Sequence, residues 1–237
     1  MIKAVLFDLD GTLAPMDQDM FIKKYFGALA KKFASRGYDA EDFSKNIWLG
    51  TRAMVSNDGS KTNEEAFWSF FTGVYGEQGK QDLPIFEDFY INDFPSVGKE
   101  ICTPNPDAHK AVEYIKSKGL RISLATNPLF PSIATEERIR WAGFEPSDFE
   151  DYTTYENCRY CKPNINYYIE VLDKLGLKAE ECLMVGNDTI EDTVPLELGM
   201  KVFLITKHLL NKDNRDISVY PNGDFNDLVE YIKNEIQ

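Results

Sequence analysis

The chain has 237 residues, 43% of them hydrophobic, which suits one large domain or a core with a smaller inserted domain. Its net charge of −13 argues against nucleic acid and anionic membrane surfaces as partners, because their phosphates would be repelled. We expect no membrane span, since no apolar run approaches the ~20 residues that one needs. We also expect no signal peptide and therefore a cytoplasmic location, because the first residues enter an acid-bearing strand.

The first predicted strand is the apolar run that begins at Ile2 and ends in two acids, Asp8 and Asp10, followed by Gly11. Side chains two residues apart on a strand point the same way, so both carboxylates lie at its C-terminal tip. Adjacent carboxylates repel each other unless a cation or a shared proton relieves them. Gly11 allows a sharp turn and the close approach of a ligand. Because open α/β sheets bind ligands at the carboxyl ends of their strands, we predict a site here.

Residues 15–99 lack a strong strand pattern and contain four amphipathic segments, which we predict as helices over 19–35, 40–52, 63–75 and 83–94. Thr62-Asn-Glu-Glu65 has the pattern of a helix start with a capping acid. We therefore predict an all-helical inserted domain of residues 15–99, and a core domain formed by residues 1–14 and 100–237. Arg52, beside a polar, glycine-containing loop, is a candidate substrate contact.

Downstream of the insert, short apolar strands alternate with helical segments. The strands are predicted over 120–125, 181–185 and 200–205, and residues 207–223 as loop with room for a short strand. The helices are predicted over 106–118, 132–142, 163–175, 189–198 and 224–236. This alternation predicts a Rossmann-like α/β fold, a doubly wound and mainly parallel sheet with helices on both faces.

Polar residues follow the later strands as well. Thr126 and Asn127 follow the second strand and can donate hydrogen bonds to an oxyanion. Lys162 precedes a helix, and the third strand leads into a turn that contains Asp188 and Asp192. Acids four residues apart suit a metal site and also a helix N-terminus. In a doubly wound sheet, all these strand tips face one crevice.

The order of these motifs resembles the haloacid dehalogenase superfamily. The motifs are Asp8-x-Asp10-Gly11-Thr12, then Thr126, then Lys162-Pro163, then Gly186-x-Asp188-x-x-x-Asp192. The resemblance covers the whole core, and the helical insert is placed like that superfamily's helical cap. One departure is that Asn187 stands where the commonest form has an acid directly after the glycine, so the acids are shifted by one.

The resemblance implies a Mg²⁺-dependent phosphatase that hydrolyses a small phosphomonoester through an aspartyl phosphate. Asp8 would be the nucleophile, and Asp10 the general acid that protonates the leaving alcohol and then the base that activates water. Lys162 would neutralise charge and steady Asp8. Such a protein would take a small phosphorylated metabolite as its partner and act as a monomer or homodimer.

The resemblance also implies two sets of binding residues. The candidate phosphate or substrate contacts are Gly11, Thr126, Asn127, Lys162 and, in the cap, Arg52. The candidate Mg²⁺ ligands are Asp8, the backbone carbonyl of Asp10, Asp188 and, completing or supporting the metal site, Asp192. The oxygen donors match the hard ligands that Mg²⁺ prefers.

Other activities remain to be weighed on the same residues. Dehalogenases of this superfamily lack the second acid, so Asp10 argues against dehalogenation. A phosphonate hydrolase would need a reactive cap lysine over the site. A sugar phosphomutase, which shares the aspartyl phosphate, and a non-catalytic phosphate-binding module both stay open. Cys158 and Cys161 have redox or metal spacing, but a structural zinc site needs four ligands, so reduced thiols are predicted.

Overall fold

The computed structural model describes residues 1–235, and its core is a five-stranded sheet. The strands are β1 (Ala4–Phe7), β2 (Arg121–Leu124), β3 (Cys182–Gly186), β4 (Lys201–Ile205) and β5 (Asn222–Gly223). Their order in the sheet is β2-β1-β3-β4-β5, and every neighbouring pair is parallel. The predicted α/β sheet is thus confirmed, and β5 is the short strand within the segment predicted mainly as loop.

Strands β2 and β3 pair with β1 in a register that places their C-terminal ends next to the end of β1. Phe7 pairs with Leu124 on β2 and with Val185 on β3. All four residues of β1 are buried, as expected for a parallel strand covered on both faces. The segments that leave β1, β2 and β3 therefore emerge side by side at one edge of the sheet.

Between β1 and β2 the chain is helical. The helices are α1 (Gln18–Phe33), α2 (Ala40–Val55), α3 (Asn63–Gln81), α4 (Leu83–Asp88) and α5 (Phe94–Gly98), with one π-helical turn at Phe89–Asp93. Thr62 and Glu65 form the predicted capping box at the start of α3. The predicted end of that helix, residue 75, coincides with a kink at Gly76, whose φ is +59°. Helical structure resumes after the kink because glycine tolerates a positive φ.

The remaining helices are α6 (Pro106–Ser117), α7 (Ser132–Trp141), α8 (Ile165–Leu175) and α9 (Phe225–Glu235). They agree with the predicted helices, except that the last prediction extends to residue 236, which lies outside the described residues. The two faces of the sheet are covered by different helices. Val5 and Phe7 belong to the core shared with α6, α7 and α9, whereas Ala4 and Leu6 pack with α8.

The helix predicted over 189–198 is wrong. Residues 189–193 form turns, and a 3₁₀-helix follows at Val194–Leu198. Asp188 bonds the backbone N–H groups of Ile190 and Glu191, while Asp192 turns back to the N–H groups that precede it. These side chains replace the helical bonding pattern, because short acids compete for backbone donors near a helix start.

The helical segment between β1 and β2 packs on the core through aromatic rings. Phe94 is fully buried and contacts Phe21 and Tyr25 of α1, Phe130 of the loop after β2, and Trp141 of α7. A Cβ atom on Gly98 would lie 2.0 Å from the Trp141 ring, so glycine permits this close packing of α5 on α7. The same hydrophobic cluster thus extends from the sheet into the helical segment.

The start of α3 is hydrogen-bonded to loops of the core. The backbone N–H of Asn63 donates to the carbonyl of Cys158 at 2.9 Å. Its buried side-chain Nδ2 lies 3.3 Å from each of three acceptors, the carbonyls of Pro128 and Tyr160 and Sγ of Cys161, which share its two N–H groups. This attachment is polar and directional, whereas the contact at Phe94 is apolar.

None of the helices within residues 1–235 combines the length and hydrophobicity that crossing a membrane requires.

We expect Phe94→Ala to lower the free energy of unfolding by about 3–5 kcal/mol, because it leaves a cavity among fully packed rings. Ile91, 57% exposed in the adjacent π-helical turn, provides the control, and Ile91→Ala should change stability by no more than about 0.5 kcal/mol. Chemical denaturation of both variants measures the difference. Equal losses in the two variants would contradict the packing role of Phe94.

Candidate active site

The segments that leave β1, β2 and β3 enclose a polar cavity of about 110 Å³. Carboxylates dominate its wall, and one surface lysine, Lys212, lies at its edge. The residues around it are Asp8, Asp10, Gln18, Thr126, Asn127, Asn187, Asp188, Glu191, Asp192 and Lys212. The structure therefore brings together most of the site residues predicted from the sequence.

Lys162 lies at the base of this site, fully buried between two carboxylates. Its Nζ donates to Oδ1 of Asp8 at 3.0 Å and to Oδ1 of Asp192 at 2.6 Å. Burial alone would lower the pKa of Lys162, but the two carboxylates outweigh it and hold that pKa well above its usual value. The lysine is therefore a permanent cation in a group of acids.

Asp8 is 8% exposed, and burial raises its pKa to about 7. Lys162 opposes this rise, whereas the neighbouring carboxylates Asp192 and Asp10 add to it. Oδ2 of Asp8 also accepts a hydrogen bond from the hydroxyl of Thr12 at 3.2 Å. Asp8 is thus oriented by two donors while its remaining surface faces the cavity.

Asp192 is turned inward and is 1% exposed. Its Oδ2 accepts the backbone N–H groups of Asn187 and Asp188, both at 2.9 Å, while Oδ1 binds Lys162. Both oxygens are thus engaged inside the protein, which favours the supporting role among the two roles considered for Asp192. Asp188 is more open, with Oδ1 bonded to backbone N–H groups and the carboxylate on the cavity wall.

Asn187 occupies the place where an acid was expected, and its side chain holds two loops together. Its Oδ1 lies 3.1 Å from the Thr12 hydroxyl, whose single hydrogen it shares with Asp8, and its Nδ2 donates to the carbonyl of His208 at 2.7 Å. Gly11 has a φ of +86° and its N–H donates to the carbonyl of Ala14. A Cβ atom on Gly11 would lie 2.2 Å from Asn187 Nδ2, so glycine is needed for this packing.

Thr126 and Asn127 line the cavity from the end of β2. The carbonyl of Thr126 accepts hydroxyl hydrogen bonds from Thr153 at 2.6 Å and from Tyr167 at 2.9 Å, which fix the loop. Asn127 uses its amide Nδ2 on both carboxylate oxygens of Glu191, each at 3.1 Å. The donor that was predicted for an oxyanion is therefore bonded to Glu191 in this structure.

Asp10 forms an ion pair with Arg138, which the sequence interpretation missed. Arg138 on α7 is 1% exposed, and its guanidinium lies over the Phe130 ring, 4.5 Å from the centroid. Oδ1 of Asp10 is buried and, within residues 1–235, has no hydrogen-bond partner. The sequence could have indicated that Arg138 is buried, because it lies four residues from both Ala134 and Ala142, on the apolar side of α7.

Glu191 is the second residue that was missed, although it directly precedes Asp192. Burial raises the pKa of Glu191 to about 7. The charge of Lys162 lowers this pKa, whereas the nearby carboxylates Asp192, Asp188 and Asp8 raise it further. Glu191 borders both the polar cavity and a larger neighbouring one.

The larger cavity, of about 210 Å³, lies between the helical segment and the core and also reaches Asp10 and Arg138. Helix α2 lines it through Ile47, Trp48, Thr51 and Met54. Arg52 is exposed on the same helix and does not border the cavity. The structure therefore favours Arg138 over Arg52 as the arginine of the site, and we do not retain Arg52 as a substrate contact.

The thiols of Cys158 and Cys161 are both buried. Burial raises the pKa of Cys158 to about 12 and the pKa of Cys161 well above its usual value. A thiol is reactive or metal-binding mainly as the thiolate, which these surroundings disfavour. Both cysteines are free, in agreement with the predicted reduced thiols.

A family model described as haloacid dehalogenase-like hydrolase matches residues 2–193. The chain belongs to the haloacid dehalogenase-like hydrolases. The sequence is 28% identical over 99% of this chain to a glyceraldehyde 3-phosphate phosphatase of Methanocaldococcus jannaschii, covering 98% of that protein. A protein of the same name from Methanothermobacter thermautotrophicus is 26% identical, with 92% of this chain and 95% of that protein covered.

The fold of this family is also found among solved structures. A 2-haloacid dehalogenase from Pseudomonas syringae superposes with a TM-score of 0.67 at 17% identity, with 99% of each chain covered. At this identity the likeness concerns the fold alone. It confirms the expected superfamily architecture for this haloacid dehalogenase-like hydrolase.

We expect Glu191→Gln to raise the free energy of unfolding of the metal-free protein relative to wild type. This gain should increase as the pH rises. The folded pKa of Glu191, about 7, lies above its ordinary value of 4.5, so the wild type loses stability as the pH rises between these values. The variant lacks this loss, so its relative gain by pH 8 should reach up to roughly 3 kcal/mol. Denaturation in the presence of a chelator, from pH 4 to pH 8, measures it.

Glu197→Gln, at an exposed position in the following 3₁₀-helix, is the matched control and should show little pH-dependent difference from wild type. A flat difference for Glu191→Gln would show that Glu191 does not titrate in this way.

Proposed function

We propose that this protein is a Mg²⁺-dependent phosphatase that hydrolyses a small phosphomonoester through an aspartyl phosphate on Asp8. The observation that carries the proposal is the buried contact of Lys162 with Asp8, beside the second acid Asp10 and the hydroxyl residue Thr126. The phosphatase names of the relatives agree with it. We further propose that residues 15–99 form the cap domain and that the enzyme acts in the cytoplasm.

In the first step a carboxylate oxygen of Asp8 attacks phosphorus, and the bond from phosphorus to the leaving oxygen breaks. The attack brings two anions together, so it needs local positive charge. Lys162 supplies one such charge and, through its second bond to Asp192, holds the Asp8 carboxylate in place. Thr126 contributes a hydroxyl for a phosphoryl oxygen.

Asp10 serves as the proton donor and acceptor. Arg138 binds Oδ2 of Asp10 and holds this side chain beside the polar cavity. Protonated Asp10 gives its proton to the leaving alcohol. The ionised Asp10 then takes a proton from water, whose oxygen attacks phosphorus, releases inorganic phosphate and restores the Asp8 carboxylate.

The cavity fits a magnesium ion by the chemistry of its donors. Asp8 and Asp188 present carboxylates to the same cavity, and Asp10 is beside them. Among residues 1–235 no three His, Cys, Asp or Glu side chains form a metal group on their own. Mg²⁺ retains several waters, so two carboxylates and the Asp10 carbonyl would suffice. When bound, it would neutralise the acids and the phosphate dianion.

We expect Asp8→Asn to release no phosphate above background from a panel of phosphometabolites, because an amide oxygen is too weak a nucleophile. Asp10→Asn should lower turnover by roughly 10²–10⁴-fold while substrate binding persists, since it removes proton transfer. Phosphate release and binding by isothermal titration calorimetry measure both effects. The exposed Asp213→Asn is the control.

Full activity of Asp8→Asn would overturn the mechanism. The alternative of a sugar phosphomutase is tested on the same panel, because it would convert a sugar phosphate into its isomer without release of inorganic phosphate.

We expect chelation of divalent cations to abolish turnover and added Mg²⁺ to restore it. Asp188→Asn should weaken Mg²⁺ binding by roughly tenfold or more, because it removes a negative ligand. Calorimetric titration of the metal gives a readout that does not depend on activity. Asp173→Asn, exposed on α8, should bind Mg²⁺ like the wild type, and equal affinities for all three proteins would contradict the assignment of Asp188.

A further inference from the structure

The larger cavity is walled mainly by aromatic rings and opens beside the acid that serves the leaving group. Phe26 and Trp48 stack at 5.2 Å on one side, and Phe67, Trp68 and Phe86 line the helical side. Phe130 closes the cavity toward the core. Because Asp10 borders both this cavity and the polar one, an ester bound with its phosphate at Asp8 extends its alcohol part among these rings.

Three hydroxyls on the helical side of this wall are already bonded inside the protein. The hydroxyls of Tyr25 and Tyr90 are bonded to each other at 2.9 Å. The hydroxyl of Thr51 donates to the carbonyl of Ile47 in its own helix at 3.0 Å. A polyhydroxylated alcohol would therefore lose its bonds to water and find these groups engaged, which costs free energy.

The charges around the cavity disfavour an anionic alcohol part. Its charged residues are Asp10, Glu191 and Arg138, and the arginine is already paired with Asp10. A carboxylate or a second phosphate in the cavity would meet Glu191 with its nearest cation engaged. An uncharged group meets no such repulsion.

We propose that the substrate's leaving group is an uncharged alcohol with an aromatic or bulky apolar body, which this cavity binds. The inference rests on the proposed phosphatase activity and names the class of substrate for that site. A dry apolar cavity of about 150 Å³ is known to hold benzene, so about 210 Å³ accommodates a substituted ring. The names of the relatives do not predict this class, because glyceraldehyde 3-phosphate has a small polar body.

The first test compares three esters of primary alcohols: 2-phenylethyl phosphate, glycerol 1-phosphate and phosphoglycolate. The chemistry at phosphorus is similar in all three, so differences in kcat/KM report the binding of the alcohol part. We expect 2-phenylethyl phosphate to exceed glycerol 1-phosphate by about tenfold or more, because burial of even one methylene contributes about that factor. Phosphoglycolate should be the poorest.

The second test fills the cavity. Thr51→Phe places a ring in the lining of α2 and should reduce the kcat/KM ratio of the phenylethyl to the glycerol ester by about tenfold. Thr72→Phe is the matched control, because Thr72 on α3 is also half-buried and donates to the carbonyl four residues earlier. Thr72→Phe should keep the wild-type ratio.

The outcomes separate the two proposals. If no ester is hydrolysed with Mg²⁺ present, the phosphatase activity itself fails. If all are hydrolysed but glycerol 1-phosphate or phosphoglycolate matches the phenylethyl ester, the activity stands and the inferred substrate class is wrong. The class is also wrong if Thr51→Phe leaves the ratio unchanged, with circular dichroism confirming that the variant is folded.

Discussion

Lys162 places a positive charge in the buried group of acids at the tip of the sheet, and the geometry of the site depends on it. Without this ammonium, Asp8 and Asp192 would be two buried carboxylates in mutual repulsion. Asp192 also fixes the turn after β3, because its other oxygen accepts the backbone N–H groups of Asn187 and Asp188. One cation therefore connects the loop after β1 with the loop after β3. An uncompensated charge here would cost several kcal/mol, so we expect the loss of any one of these three charged residues to disrupt the whole group.

A second ion pair, Asp10 with Arg138, gives the two aspartates of the first motif different surroundings. Asp8 faces a lysine and the polar cavity, whereas Asp10 faces an arginine and the border of the aromatic cavity. The pKa of Asp8 is raised mainly by burial, and the Lys162 charge opposes it. Identical residue types two positions apart can thus be assigned different tasks, because the packing around each one differs.

Local sequence patterns were sufficient to predict the tips of the strands but not the packing around them. Apolar runs that end in polar residues identify strand tips, and a parallel sheet collects those tips at one edge, so the positions of Asp8, Thr126 and Asp188 could be predicted. Arg138 and Glu191 could not be ranked above other charged residues, because their roles depend on how α7 and the turn after β3 pack. The helix predicted over 189–198 failed because acid side chains take the backbone donors that a helix would use.

The attachment of α3 has a mechanical consequence. Its first residue is tied to the core by a backbone bond and by a buried amide with several acceptors, whereas α1 and α5 meet the core through packed aromatic rings. A buried donor or acceptor that loses its partner costs about 1–3 kcal/mol. Any displacement at the start of α3 would therefore leave buried polar groups without partners. Because the acceptors include Tyr160 and Cys161, which directly precede Lys162, this attachment ties the helical segment to the chain that positions the ammonium of the site.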